Sequence, residues 1–216
     1  MCSVIGYIGS QLGKSYVLEG LSRLEYRGYD SAGFACISAG DADVKYFKSV
    51  GGYSNLVQGL DQINIDGNCA MGQTRWSTHG AVSVENAHPH FDCSKTVSVI
   101  HNGIIENHHE LKIKLQLLGH TFKSQTDTEI AAHVFEQVLQ DLIKNNVLPD
   151  IKLVAQTVFR QLEGAYAFVF LLAQYPDRMA VARKRSPSCI GVWDPGNSVA
   201  SAFLAFVDKT DIGVFM

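Results

Sequence analysis

The chain has 216 residues, of which 46% are hydrophobic and 18% are charged, and its formal net charge is −3. This composition is typical of a globular protein with a sizeable core and excludes an intrinsically disordered chain. Because there is no surplus of Lys and Arg to neutralise phosphates, nucleic acid is not expected as a partner. No apolar run reaches the roughly 18 residues of a membrane span, and the first residues do not resemble a secretory signal. We therefore expect no membrane association.

The five cysteines are odd in number and show no C-x-x-C spacing. This pattern favours reduced thiols in a cytoplasmic protein over a disulfide framework or a zinc site. The cysteines are Cys2, Cys36, Cys69, Cys93 and Cys189.

Apolar runs and helical periodicities follow one another without a linker, which predicts one domain over residues 1–216. Strands are predicted at residues 2–8, 34–37, 44–47, 70–75, 97–101, 166–172, 179–182, 188–193 and 199–207. Helices are predicted at residues 13–26, at 106–118, in a long stretch that opens at 126, and at 151–162. Because the strands and the helices are grouped rather than strictly alternating, we expect an α+β layered fold with antiparallel sheets.

Cys2 is the first candidate for chemistry. Removal of Met1 would leave a thiol and a free α-amino group on one residue. The unperturbed pKa of an α-amine is about 8, close to that of a thiol, so the amine can take the thiol proton and later return it to a leaving group. The alternative, which position alone favours, is a small apolar residue in a buried strand.

The run Thr74-Arg75-Trp76-Ser77-Thr78-His79-Gly80 leaves a predicted strand and enters a loop. Arg75 is suited to a bidentate clamp on a carboxylate, and Trp76 is suited to covering that clamp and excluding water. The simpler alternative is a surface arginine beside a half-buried tryptophan.

His101-Asn102-Gly103 follows an apolar run and is predicted to end a strand. The Asn102 side-chain amide and the Gly103 backbone N–H are two donors of the kind that an oxyanion hole uses. A simple turn is the alternative, because Asn-Gly is a strong turn signal.

Thr126-Asp127-Thr128-Glu129 has the spacing of a helix capping box, with Thr126 as the cap. Asp127 would then lie in the first turn, where the helix dipole favours an acidic side chain. The functional alternative is that Asp127 binds the ammonium group of an amino-acid substrate.

Histidines are loosely clustered in the middle of the chain, but they form no H-x3-H pair and no Cys/His set at ligand spacing. We therefore expect no metal and no cofactor, and we expect His88-Pro89-His90 to shape a loop. The clustered histidines are His79, His88, His90, His101, His108 and His109.

These segments occur in a characteristic order. They are MC-x-V-x-GYIG, LEYRGYDSAG, TRWSTHG, NAHPH, HNGIIEN, TDTE and LEGAYAF. In this order they resemble the class II (N-terminal nucleophile) glutamine amidotransferases. Within that family they are most similar to the glutaminase domains of the branch that transfers ammonia to fructose 6-phosphate. The similarity covers nearly the whole chain.

The resemblance implies a four-layer αββα sandwich of the N-terminal nucleophile (Ntn) hydrolases, with two antiparallel sheets between helical layers. It implies L-glutamine as the substrate and Cys2 as the nucleophile, which forms a glutamyl thioester. Asn102 and Gly103 match the oxyanion hole, through a side chain and a backbone N–H respectively.

The resemblance also assigns residues that bind glutamine. Arg75 matches the residue that binds the α-carboxylate, and Asp127 matches the residue that holds the α-amino group. Arg27 matches an arginine that orders the N-terminal site. The loop that closes over glutamine is matched by Trp76, Thr78 and His79.

In the full-length enzymes of that branch, two sugar-isomerase domains follow the glutaminase domain and hold the sugar phosphate. From this chain we expect hydrolysis of glutamine to glutamate and ammonia. From a full-length enzyme we expect transfer of that ammonia to fructose 6-phosphate, which gives glucosamine 6-phosphate. The resemblance is also compatible with a homodimer.

Two positions depart from the family pattern. Ser3 stands where the family has glycine after the cysteine, and Ser201-Ala202 stands where Ser-Asp is expected. A Cβ at residue 3 would crowd the nucleophile if that position required a conformation open only to glycine.

Three alternatives remain at this point. The first is a non-catalytic glutamine-binding regulatory module, which Ser3 favours. The second is an amidotransferase with another acceptor such as phosphoribosyl pyrophosphate, which the YRGYDSAG and HNGIIEN runs disfavour. The third is an N-terminal hydrolase of another amide, which would not be expected to keep both Arg75 and Asp127.

Overall fold

The computed structural model describes residues 2–77, 80–186, 189–191, 197–200, 203–206 and 213–215. The strands are β1 (Ser3–Ile8), β2 (Ser31–Ile37), β3 (Lys45–Val50), β4 (Cys69–Arg75), β5 (His90–Phe91), β6 (Val97–Ile105), β7 (Gly164–Leu172), β8 (Met179–Lys184), β9 (Cys189–Gly191), β10 (Asn197–Ala200), β11 (Phe203–Phe206) and β12 (Gly213–Phe215). The helices are α1 (Lys14–Arg23), a short 3-10 helix (Glu25–Arg27), α2 (Tyr53–Asp61), α3 (His108–Leu117), α4 (Thr128–Lys144) and α5 (Ile151–Gln161).

The described strands form two sheets. The first sheet has the order β3-β2-β4-β1-β10-β11-β9, and the second has the order β12-β8-β7-β6-β5. Neighbouring strands pair antiparallel, except for short parallel pairings of β1 with β11, β9 with β11 and β8 with β12. The expected antiparallel sheets are therefore present, with parallel contacts added by strands from the last part of the chain.

The two sheets pack face to face, and helices cover both outer surfaces. Val4 and Met71 of the first sheet meet Ile100 and Val169 of the second in one buried cluster. Because successive strand residues face opposite sides, Ile5 packs outward in the cluster that contains residues of α1 and α2. Residues of α3, α4 and α5 pack on the second sheet in a third cluster. The four-layer αββα order implied by the resemblance is confirmed.

Strands that are buried on both faces read as continuous apolar runs, which is why most of them could be predicted. Several boundaries nevertheless differ. The predicted helix at 13–26 ends at Arg23 and is followed by the 3-10 helix. The predicted strand at 199–207 is two strands, with residues 201–202 outside the described range. The helix α2 was not predicted, because only Leu56 and Leu60 are buried along it. Among the described residues, no helix combines the length and the apolar character that crossing a bilayer requires.

The predicted capping box at the start of α4 is wrong. Asp127 occupies the N-cap position and makes no side-chain cap hydrogen bond. The carboxylate of Glu129 instead accepts hydrogen bonds from the backbone N–H and the hydroxyl of Ser124, at 2.7 Å each. The hydroxyl of Thr126 pairs with Nε2 of His90 at 3.0 Å. Glu129 and Thr126 therefore bond to Ser124 and His90 instead of capping the end of α4.

Gly33 in β2 marks a close approach between two segments of the chain. A Cβ at this position would lie 1.8 Å from the carbonyl oxygen of His88. A backbone oxygen cannot rotate away as a side chain can, so only glycine allows the segment that carries His88 to lie against β2.

Gly33→Ala is expected to lower the free energy of unfolding by about 3 kcal/mol, because the added methyl group forces the two backbones apart. Gly52→Ala is a matched control, since the nearest atom to its added Cβ would be 3.4 Å away, and its effect should stay below about 1 kcal/mol. Urea unfolding followed by circular dichroism measures both variants. Equal losses in the two variants would contradict the steric explanation.

Candidate active site

A cavity of about 160 Å³ lies where the end of β4, the strand β6 and the N-terminal end of α4 converge. It is smaller than the ~300 Å³ at which pockets for drug-sized ligands begin, so it suits a smaller ligand such as one amino acid. Thr78 and His79, which were predicted to belong to the site, lie outside the described residues. The predicted site residues that line the cavity are Cys2, Arg75, Trp76, Asn102, Gly103 and Asp127.

Cys2 is positioned by the pairing of β1 with β4, in which Ser3 lies opposite Thr74. This register places Sγ of Cys2 3.5 Å from the backbone nitrogen of Trp76 and 3.7 Å from its carbonyl oxygen. Nε of Arg27 donates to the carbonyl oxygen of Cys2 at 3.5 Å. The thiol therefore lies at the cavity wall rather than in the core, and Arg27 contacts the backbone that holds it.

Two other cysteines, Cys36 and Cys69, differ from Cys2 in their burial. Cys36 and Cys69 are fully buried and make no disulfide. Burial raises the pKa of the Cys36 thiol to about 12, and it raises the pKa of Cys69 as well. Since the thiolate is the nucleophile, neither residue is suited to attack a substrate. The interpretation of Cys2 as a third buried, apolar cysteine is not supported.

Ser3 has an ordinary strand conformation. It lies fully buried in β1, and its hydroxyl pairs with the hydroxyl of Thr74. The extended backbone of a strand is open to any residue, so the position does not require glycine. The concern that Ser3 distorts the nucleophile is not supported, and Ser3 no longer favours a non-catalytic module.

Asn102 and Gly103 lie inside a strand, which corrects the prediction that β6 ends at His101. β6 continues to Ile105, and its pairing with β7 places Gly103 opposite Tyr166. Gly103 has φ of 146°, and a Cβ there would lie 2.1 Å from the carbonyl oxygen of Ala165. Both steric room and backbone angle therefore demand glycine. The Asn-Gly pair is not a turn.

Arg75 is almost fully buried, with 4% of its surface exposed. One of its guanidinium nitrogens, Nη1, donates to the carbonyl oxygen of Ala81 at 3.4 Å. Burial lowers the pKa of Arg75, while the nearby acidic groups of Cys2, Asp30 and Asp127 act in the opposite direction. Arginine stays protonated in proteins. The cavity therefore contains a desolvated cation, and the surface alternative is wrong.

Asp127 provides a carboxylate that lines the same cavity. Its side chain is 9% exposed, and Oδ2 accepts a hydrogen bond from the backbone N–H of Ile105 at 2.8 Å. This bond fixes the carboxylate between the end of β6 and the start of α4. A buried cation and a buried anion in one cavity complement a zwitterion.

The loop after β4 is anchored by the motif that follows the 3-10 helix. Asp30 Oδ2 accepts a hydrogen bond from the backbone N–H of Ser77 at 2.6 Å. Tyr29 makes an edge contact with Trp76, with ring centroids 5.3 Å apart. Trp76 itself is 43% exposed. The YRGYDSAG run therefore holds the start of the loop that carries Trp76, a role that the residue types alone did not reveal.

Three further residues that line the cavity, His88, His101 and Thr128, were not predicted to belong to the site. Oγ1 of Thr128 lies 3.0 Å from Nε2 of His88 and 3.0 Å from Nδ1 of His101. Burial lowers the pKa of both histidines, so both imidazoles are neutral. His88, His101 and Thr128 lie in the NAHPH, HNGIIEN and TDTE runs respectively. Membership of these family motifs was the sequence signal that could have assigned them to the site.

The prediction of no metal ligands considered only residues close in sequence. Within the part of the chain that the structure describes, Cys93, His120, His133 and Glu136 bring one ligand atom each to within 4.8 Å of one another. None of the four lines the cavity. The absence of a Cys/His set at short spacing therefore did not exclude a ligand cluster in the fold.

Comparison with known proteins identifies the family of the chain. A family described as "Glutamine amidotransferase domain" matches residues 74–188. Glutamine–fructose-6-phosphate aminotransferase [isomerizing] of Pyrococcus horikoshii is 44% identical over 220 residues, which are 100% of this chain and 35% of the relative. The enzyme of that name from Bacteroides thetaiotaomicron is 39% identical over 216 residues, 100% of this chain and 34% of the relative. The chain thus spans about a third of the length of the curated relatives it matches.

Solved structures share the fold. Glutamine phosphoribosylpyrophosphate amidotransferase from B. subtilis, complexed with ADP and GMP, has a TM-score of 0.73 at 24% identity, over 91% of this chain and 40% of that one. A glutamine aminotransferase class-II domain protein from Silicibacter pomeroyi has a TM-score of 0.52 at 12% identity, over 95% of this chain and 86% of that one. The expected Ntn fold is confirmed, and the chain belongs to the glutamine amidotransferase domain family.

Proposed function

We propose that this chain hydrolyses the side-chain amide of L-glutamine to glutamate and ammonia, with Cys2 as the nucleophile. One observation carries the proposal: a single small cavity holds the Cys2 thiol, the Asn102 and Gly103 donors, the Arg75 guanidinium and the Asp127 carboxylate. Each of these groups can interact with a different part of a glutamine molecule.

The two charged groups support a free amino acid as the substrate. The α-carboxylate of glutamine pairs with Arg75, and its α-ammonium group pairs with Asp127. An N-acylated amide lacks the ammonium group and would leave the Asp127 carboxylate without a cation in a desolvated place, which is costly. This argument disfavours the hydrolases of other amides.

The reaction begins with attack of the thiol sulfur on the amide carbon of glutamine. The new S–C bond pushes an electron pair onto the amide oxygen, and Asn102 Nδ2 and the Gly103 N–H donate hydrogen bonds to that oxyanion. The thiol proton moves to the α-amino group of Cys2, which requires that Met1 be removed. The amine then passes this proton to the departing nitrogen. The C–N bond breaks, and ammonia leaves a γ-glutamyl thioester.

Hydrolysis of the thioester completes the cycle. Water attacks the thioester carbon, and the same two donors stabilise the second oxyanion. The C–S bond breaks, the proton lost by water returns the sulfur to a thiol through the α-amine, and glutamate is released.

We further infer that residues 1–216 act as one glutaminase domain of a longer, cytoplasmic enzyme in which sugar-isomerase domains receive the ammonia. The relatives at 44% and 39% identity are named for fructose 6-phosphate as the acceptor. The phosphoribosylpyrophosphate enzyme shares the fold at only 24% identity, so it offers weaker support for the alternative acceptor. The free thiols of Cys36 and Cys69 are compatible with a reducing compartment.

Covalent labelling tests the nucleophile. Incubation with 6-diazo-5-oxo-norleucine, an electrophilic glutamine analogue, is expected to give one adduct per chain on Cys2, with Met1 absent. Peptide mass mapping locates the adduct. The exposed Cys93 is an internal control and should stay unlabelled.

Cys2→Ala should abolish ammonia release without changing the thermal melting curve. Binding of glutamine without turnover by the unaltered chain would instead support a non-catalytic module.

Asn102→Ala tests the oxyanion hole. We expect kcat to fall by about 10²–10³-fold, because one donor to the developing oxyanion is lost, while KM changes little. Asn107→Ala serves as the control, since Asn107 belongs to the same sequence run but does not line the cavity. Steady-state ammonia release measures both variants. A large rise in KM at unchanged kcat would place Asn102 in substrate binding instead.

Asp127→Asn tests recognition of the α-ammonium group. The amide can still accept the N–H of Ile105, so the fold should persist, while kcat/KM for glutamine should fall by about 10–100-fold through loss of a charge-assisted contact. Glutaramate, which is glutamine without its α-amino group, provides the comparison. Its slow hydrolysis should be the same in both proteins. An equal loss for both substrates would show that Asp127 acts on structure rather than on the ammonium group.

A further inference from the structure

Four ligand-type side chains that do not line the catalytic cavity converge at one place. Cys93 lies in the turn between β5 and β6, and His120 lies in the connection between α3 and α4. His133 and Glu136 project from one turn of α4. The two histidines and Glu136 are buried, whereas Cys93 is exposed. Three separate segments of the chain therefore meet at this cluster.

The donor atoms of the cluster point at a common centre. Sγ of Cys93 lies 3.7 Å from Nδ1 of His120 and 3.6 Å from Nδ1 of His133. The two Nδ1 atoms are 3.1 Å apart. Oε2 of Glu136 lies 3.1 Å from Nδ1 of His120 and 3.6 Å from Nδ1 of His133. The same ring nitrogen of each histidine thus faces the sulfur and the carboxylate.

These separations are those of a tetrahedral metal site. With zinc bonds of about 2.3 Å to sulfur and about 2.0 Å to nitrogen or oxygen, tetrahedral angles place sulfur about 3.5 Å from nitrogen and the lighter donors about 3.3 Å from each other. Five of the six distances between the donor atoms range from 3.1 to 3.7 Å, and the sixth, from Cys93 Sγ to the Glu136 carboxylate, is within 4.8 Å. One ion at the centre therefore reaches all of them with small adjustments.

The hydrogen bonds around His120 orient its ring toward the cluster. The amide nitrogen of Gln137 donates to Asp141 Oδ1 at 2.8 Å, so the amide oxygen faces Nε2 of His120, 2.9 Å away. Nε2 therefore donates to that oxygen, and Nδ1 is the ring nitrogen that faces the rest of the cluster, 3.1 Å from Oε2 of Glu136.

We propose that Cys93, His120, His133 and Glu136 bind one zinc ion. The mixed set of thiolate, imidazole and carboxylate ligands matches the preference of this borderline-soft cation. The hydrogen bond of Gln137 to His120 is an outer-shell contact of the kind that orients a metal-bound histidine.

The site is structural rather than catalytic. Four protein ligands complete a tetrahedron and leave no open position for substrate. The ion ties the β5–β6 turn and the α3–α4 connection to α4. It thereby fixes the helix whose N-cap residue is Asp127.

Cobalt substitution tests the site in the chain without an affinity tag. After treatment with a chelator, addition of Co²⁺ should produce a thiolate-to-cobalt charge-transfer band in the near ultraviolet that saturates at one equivalent per chain. One equivalent of Zn²⁺ should remove the band and raise the melting temperature by several degrees. Both signals report the ligands directly and do not depend on glutaminase activity.

Variants assign the ligands. Cys93→Ser should lose the charge-transfer band and weaken zinc binding by at least about 100-fold, and His120→Gln should weaken zinc binding similarly. Cys2→Ser is the matched control, because Cys2 likewise is not fully buried, and this variant should keep the band. Melting of each variant with chelator present verifies folding. The proposal is overturned if the unaltered chain shows no stoichiometric band, or if the band survives Cys93→Ser.

Discussion

The hydrogen bonds between Gln73 and His101 are the contact on which the site depends. The Gln73 side chain donates to the carbonyl oxygen of His101 at 2.7 Å and accepts from its N–H at 3.3 Å. Both residues are buried, so these bonds lie away from competing water. They join β4 of the first sheet to β6 of the second. Since Arg75 lies two residues after Gln73 and Asn102 follows His101, the two halves of the cavity are held in register by one amide.

Much of the architecture could be predicted from the sequence, because burial on both faces makes a strand such as β7 a continuous apolar run. The family motifs likewise located the residues of the cavity. Local patterns failed where tertiary partners took over. The Asn-Gly pair in β6 looks like a turn, but pairing with β7 keeps it in the strand. The Thr126–Glu129 spacing looks like a capping box, but His90 and Ser124 occupy those side chains.

The zinc ligands show a second limit of sequence analysis. Cys93 and His120 are separated by 27 positions, and His120 and His133 by 13. Such spacings belong to no short metal motif, because the turn, the connection and the helix that carry the ligands meet only in the folded chain. The same limit applies to His88 and His101. Their places in the family motifs could be read from the sequence, but their shared contact with the hydroxyl of Thr128 appears only in the fold.

The placement of Arg75 and Asp127 on different layers has a mechanical consequence. Arg75 belongs to the first sheet, whereas Asp127 is anchored to the second sheet and to α4. A zwitterion held by both would add an ionic connection between layers that also meet through apolar contacts and through the hydrogen bonds of Gln73 with His101. Binding of the zwitterion and the stability of the two-sheet sandwich are therefore thermodynamically linked. Binding raises the free energy of unfolding, and tighter association of the sheets favours binding by the same free energy.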